Sequence, residues 1–151
     1  KRAYEMQLLK EAFVYHKRRT DFRKFFRQVF NSGCARINLN QRHPGSLKLV
    51  HTLPACFLVG EIVCVLAAIA TAVIFQNWLV PLLCLSPLIL LALIIFIDSA
   101  RKNGVRVGLL SIEAVFVQLT AYGMGFVKAA WNTYVLSKKE DTTGFVKNFY
   151  K

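Results

Sequence analysis

His16 closes a short apolar run and is followed at once by Lys17, Arg18 and Arg19. Four nitrogen-bearing side chains in sequence make a cluster suited to phosphate oxygens, because guanidinium groups offer paired donors and lysine a compact positive charge. A lone histidine at a strand end is structural more often than it is a ligand. A second basic stretch, Arg23, Lys24, Arg27 and Gln28, lies within two turns of the first. Two carboxylates, Glu61 and Glu113, sit inside otherwise apolar runs. There an ionised group is costly, and it is either paired or protonated, or else lines a polar track for a ligand. Cys34, Cys56, Cys64 and Cys84 form no CxxC pair and stand at no ligand spacing from a histidine. They read as small buried hydrophobes and as neither a metal site nor a disulfide framework.

The elements that must position these groups follow from patterning. Tyr4 to Leu9 and Ala12 to Tyr15 are short apolar-aromatic runs separated by Lys10-Glu11, which predicts a hairpin or two adjacent strands. Two strands cannot stand alone, so this segment is expected to complete a larger sheet or to dock on something else. Thr20 or Asp21 can cap a helix in which Phe22, Phe25, Phe26, Val29 and Phe30 recur at spacings of three and four. Gly33 stands where such a helix would stop, giving about three turns, too short and too charged to cross a bilayer. An aromatic face in a cationic surround predicts an amphipathic helix lying in the head-group plane. An ordinary helix that packs its Phe stripe into a domain core has the same periodicity.

After His43-Pro44-Gly45, the runs 49–75, 79–97 and 107–131 are long and apolar, the third interrupted by Glu113, Gln118 and Lys128. The first two predict a transmembrane hairpin turning at Gln76-Asn77-Trp78, with Pro81 and Pro87 expected to kink or fray the second arm. Asp98 to Arg106 reads as a basic linker. The third run is either a further span packed through Gly and Ala, around Ala121-Tyr122-Gly123-Met124-Gly125, or a helix along the interface. The expected class is therefore mainly α and integral to a membrane, with a short β remnant, an interfacial helix and two to three transmembrane helices. Residues 1–19 form the remnant, 20–48 the interfacial helix and linker, 49–136 the membrane region and 137–151 a polar tail.

Charge supports this organisation. The 151 residues are 55% hydrophobic yet carry a formal charge of +12, and twelve of the twenty Lys and Arg precede Val50. A front-loaded basic segment running into apolar spans faces anionic phospholipid on the cytoplasmic side, a nearer polyanion than nucleic acid, which is not an expected partner. The chain opens at Lys1, and its first apolar run lies too deep for a signal peptide, so an upstream portion is expected to be missing.

The stretch FVYHKRRTDFRKFFRQVFNSGCARINL, from Phe13 to Leu39, resembles the exit from the catalytic domain of membrane-bound family-2 glycosyltransferases of the GT-A type. In that family a late strand delivers a histidine to the active site, and an interfacial helix leads into transmembrane spans. The resemblance covers essentially the whole chain as the C-terminal part of such an enzyme. It implies that His16 contacts the divalent metal, Mg²⁺ or Mn²⁺, that Arg18 and Arg19 lie near the diphosphate, and that Arg27 and Gln28 match a Gln-bearing helix. The same resemblance places Phe22, Phe25, Phe26 and Phe30 at the membrane interface. It implies transfer of a sugar from a nucleotide-sugar donor to a lipid-linked or surface-polysaccharide acceptor at the inner face of a bacterial cytoplasmic membrane.

Processive relatives carry Arg-Trp after that glutamine; this chain does not, which favours single-sugar transfer over polymer extrusion. The nucleotide-binding strands, the Asp-x-Asp metal motif and the catalytic base of the family are not in this sequence. The chain by itself is expected to be inactive. The rival expectation is a small polybasic membrane protein or subunit that binds anionic lipid or a partner's helices.

Overall fold

The computed structural model describes residues 21–136, so the expected strand pair and the polar tail lie outside the described residues. Within that range the chain is helical and has no strand: α1 (Phe22–Arg42), a 3-10 turn (Leu49–His51), α2 (Leu53–Phe75), α3 (Leu79–Asn103), α4 (Val105–Ala130) and a π turn (Trp131–Val135). Three stretches are long and apolar enough to cross a membrane: Leu49–Phe75, Leu79–Asn103 and Val105–Val135.

Asp21 starts α1, as its side chain accepts a hydrogen bond from the Arg23 amide at 2.9 Å and satisfies one of the free donors of the first turn. The helix does not stop at Gly33. It continues to Arg42, and the break comes at His43-Pro44-Gly45, where proline cannot continue the ladder and Gly45 takes φ +84°. Gly33 instead lies buried in mid-helix, against the backbone of Tyr122 and Phe126. A helix-stop glycine and a close-packing glycine look alike in sequence, and only the element opposite distinguishes them.

Residues 98–103 likewise depart from expectation. They are the last turns of α3 and not a linker, held by an Asp98–Lys102 ion pair at 2.7 Å one turn apart; the break falls only at Gly104, with φ +88°. α3 also runs through Pro87. Proline there cannot donate to the Leu83 carbonyl four residues back, and the Ser86 hydroxyl donates to that oxygen at 2.7 Å in its place. At the hairpin tip Gln76 adopts the left-handed conformation (φ 46°), and the Asn77 side chain accepts from the Leu79 amide at 3.0 Å.

The core is small. Ile37, Phe126 and Ala129 form its centre, with Cys34, Leu47, Ala55 and Tyr122 packed around them, and it lies where α1 meets the second half of α4. Along α2 and α3 large apolar side chains point outward, Val73 at 74% and Leu83 at 72% exposure. Faces that apolar are suited to lipid hydrocarbon and not to water. The cysteines are correspondingly not buried: Cys56 is exposed, the other three are half-buried, and none of the four is in a disulfide.

Candidate functional site

Two features carry polar chemistry among the described residues: the outer face of α1 and a carboxylate–hydroxyl contact between α2 and α4. His16, Arg18 and Arg19 lie outside the described residues, so their geometry is not part of either. The next residues along the chain are. Arg23, Lys24, Arg27 and Gln28 are all exposed in the first two turns of α1, Arg23 one turn before Arg27 and Lys24 one turn before Gln28. This end of the helix therefore presents a cationic, hydrogen-bonding surface directly after the His-Lys-Arg-Arg cluster.

The opposite face of α1 is held by α4 at a separation that only glycines allow. A Cβ at Gly33 would collide with the Tyr122 carbonyl oxygen, and a Cβ at Gly125 with the Phe30 carbonyl oxygen. The two backbones thus touch, and the Cys34 thiol donates to the Gly125 carbonyl at 3.2 Å. Further along, the Asn40 amide nitrogen donates to the Tyr134 hydroxyl at 3.4 Å while its oxygen accepts from the Leu47 amide at 3.3 Å. One side chain so joins α1, the loop to α2 and the π turn that follows α4. Contacts that advance together, Phe30 with Gly125 and Asn40 with Tyr134, mean that α1 and the end of α4 run in the same direction.

Phe22, Phe25, Phe26 and Phe30 are half-buried. Phe26 and Phe30 stack with centroids 6.3 Å apart, and the Lys128 ammonium lies 5.5 Å over the Phe30 ring. The stripe serves partly as the seat of α1 on α4.

Glu61, in α2, accepts a hydrogen bond from the Thr120 hydroxyl of α4 at 2.8 Å, whereas Glu113 is exposed. Thr120 was not legible as a partner, because nothing in local spacing links residues 59 positions apart. Interhelical bonds of this kind in membranes contribute about 0.6 kcal/mol on average and up to about 1.7. Thr120→Val is accordingly expected to lower thermal stability in detergent by an amount within that range, and Glu61→Gln, which keeps an acceptor, by less; equal losses would mean that the carboxylate charge matters more than the bond.

The Gly123-Met124-Gly125 segment is a packing device. Gly123 lies so close to α2 that a Cβ would stand 2.5 Å from the Pro54 carbonyl oxygen. No group of three His, Cys, Asp or Glu side chains able to hold a metal occurs among the described residues. Comparison with protein-family models, with curated proteins and with solved structures finds no match to this chain.

Proposed function

We propose that this chain is the C-terminal, membrane-anchoring part of a metal-dependent family-2 glycosyltransferase. The complete enzyme transfers a sugar from a nucleotide-sugar donor to a lipid-linked or surface-polysaccharide acceptor at the cytoplasmic face of a bacterial inner membrane. The observation that supports this reading is the rigid seating of α1. A helix capped immediately after the His-Lys-Arg-Arg cluster is clamped to the membrane region through Gly33 and Gly125, with Arg23, Lys24, Arg27 and Gln28 left exposed. Such a clamp transmits the position of the membrane surface to whatever precedes residue 21. An enzyme acting on an acceptor held in lipid needs that fixed distance, whereas a freely tethered domain would lose it.

In this reading His16 contacts the divalent cation or the diphosphate, and Arg18 and Arg19 neutralise the charge that develops on the leaving nucleoside diphosphate. Arg27 and Gln28 stand at the edge of the same region and contact diphosphate or acceptor. The cation, Mg²⁺ or Mn²⁺, would act as a Lewis acid on the diphosphate. Anionic phospholipid is the partner of the remaining basic surface.

The test is donor turnover across a panel of nucleotide sugars with Mg²⁺ or Mn²⁺. Membranes carrying this chain are set beside membranes carrying the gene extended upstream to its natural start. Turnover in the extended protein alone is the expected result. An upstream frame without alternating strands and helices and an Asp-x-Asp motif, with no turnover in either sample, would replace the transferase by a lipid-binding membrane subunit.

A further inference from the structure

α4 is long and apolar enough to span, yet its neighbours touch it at positions that a third span does not allow. The end of α3 meets the start of α4, with Phe96 and Ala100 against Gly108 and the Ser99 and Ser111 hydroxyls 2.7 Å apart. The start of α2 meets α4 much further on: Pro54 and Leu58 against Gly123, Glu61 against Thr120, and the Phe57 ring 5.8 Å from that of Phe116. If α2 and α3 both cross the bilayer and turn at Gln76–Trp78, the start of α2 and the end of α3 lie at the same face. At 1.5 Å per residue the two contact points on α4, Gly108 and Gly123, are about 22 Å apart along its axis. Hairpin arms of about 31 Å each, joined at one end and separated by about 22 Å at the other, splay by about 40°. Shared equally, that is a tilt of about 20° for each arm, the ordinary tilt of a membrane helix. α4 then closes the open end of the triangle, roughly parallel to the membrane plane.

Three further observations agree. α1 lies beside residues 122–134, the second half of α4 and the π turn after it, and carries Arg23, Lys24, Arg27 and Arg42 exposed, so this half of α4 cannot lie in hydrocarbon without taking α1 with it. Glu113 stands about 12 Å along α4 from its start, well inside the hydrocarbon layer if the helix spanned. It is exposed, as is Arg106 at the start of the helix. Finally, all twenty Lys and Arg lie outside the segment from Leu49 to Ser99, and the Gln76–Trp78 turn has none. A third span would move the five that follow Val127 to the far side, against the bias that keeps basic residues cytoplasmic.

We propose that α4 is not a third span but lies with α1 as a two-helix platform in the head-group layer, across the open end of the α2–α3 hairpin. Its partner is the anionic lipid surface of the leaflet where α2 begins and α3 ends. The exposed basic side chains of α1 and α4 pair with lipid phosphates there. This rests on the membrane hairpin alone and is independent of the chemistry assigned to His16.

The test is labelling of the full chain in sealed membrane vesicles of known orientation by a membrane-impermeant maleimide. Cys56, Cys64 and Cys84 are first replaced by alanine, and single cysteines are placed by Lys24→Cys, Asn77→Cys, Glu113→Cys and Leu136→Cys. The half-buried Cys34 is kept, and the parent without an added cysteine sets the background. The expected result is labelling of positions 24, 113 and 136 from one face and of position 77 from the other. Labelling of position 136 from the face that labels 77, with position 113 protected until detergent is added, would restore the third span. A tag appended after Lys151 of the otherwise native chain gives a second measure: proteolysis from the face that exposes position 24 supports the platform, and proteolysis from the opposite face overturns it.

Discussion

Replacing Gly125 by leucine is expected to unseat α1 from α4 and to be the most damaging single change in the described chain. Even a methyl group at this position meets the Phe30 carbonyl oxygen and its carbon, backbone atoms that cannot rotate away as a side chain would. Overpacking in a well-packed core costs about 1–3 kcal/mol when side chains absorb it, and a clash with backbone belongs at or above the top of that range. Separation of the helices also removes the Cys34–Gly125 hydrogen bond and draws the Phe30 ring from beneath Lys128, and it exposes Ile37 and Ala129. The measurement is thermal unfolding in detergent, paired with limited trypsin digestion at Arg27 and Arg36, which should become much faster in the variant. Gly60→Ala is the control. No atom lies within 4 Å of its Cβ position, so the exchange should be neutral or stabilising by about 0.5–1 kcal/mol, through the better helix propensity of alanine. A Gly125→Leu protein that melts with the wild type and resists trypsin equally would mean that α1 is not held here.

In the complete glycosyltransferase that we propose, Arg18→Ala with Arg19→Ala is expected to lower kcat by about 10²–10³, the usual effect of removing a group that stabilises developing charge. His16→Ala should act on a different observable. If the imidazole contacts the cation or the diphosphate it orders, the Mg²⁺ or Mn²⁺ concentration needed for half-maximal turnover should rise, by at least the roughly 10–100-fold typical for loss of an outer-sphere partner. The two results are separable, because the arginines change the rate at saturating metal and the histidine changes the saturation curve. A His16→Ala enzyme with wild-type metal dependence would make that residue a structural strand end. Unchanged kcat in the double arginine variant would place the diphosphate elsewhere.

Much of the helical plan was legible because its signals are local. Asp21, one of two candidate caps, and Gln76-Asn77-Trp78 as a turn act through the backbone of the residues around them, and each stands where the pattern placed it. The apolar runs declared themselves in the same way, since the length of a hydrophobic stretch is a property of the stretch. What misled was equally local in form. Gly33 had the position of a helix stop, and Asp98 to Arg106 the polarity of a linker, yet α1 runs through the first and α3 through most of the second. In both cases a partner or a pairing one turn away outweighed the local preference.

The candidate site divides along the same line. The cationic first turns of α1 and the basic character of His-Lys-Arg-Arg are matters of residue type, and the sequence alone establishes them. It also establishes that two carboxylates sit in apolar runs, and it cannot say which is partnered, because Thr120 reaches Glu61 only through the crossing of α2 and α4.

The sequence by itself determined the charge asymmetry, the helical periods and the existence of three apolar segments, since each depends only on neighbours within a turn or two. Tertiary structure alone decided that Gly33 and Gly125 are the places where two backbones touch, and that the start of α2 and the end of α3, each about six turns from their own hairpin tip, meet α4 near residues 123 and 108. The physical reason is that a glycine has no side chain to advertise its partner and an apolar helix face fits lipid and protein alike, so what lies against each is settled only when the helices pack.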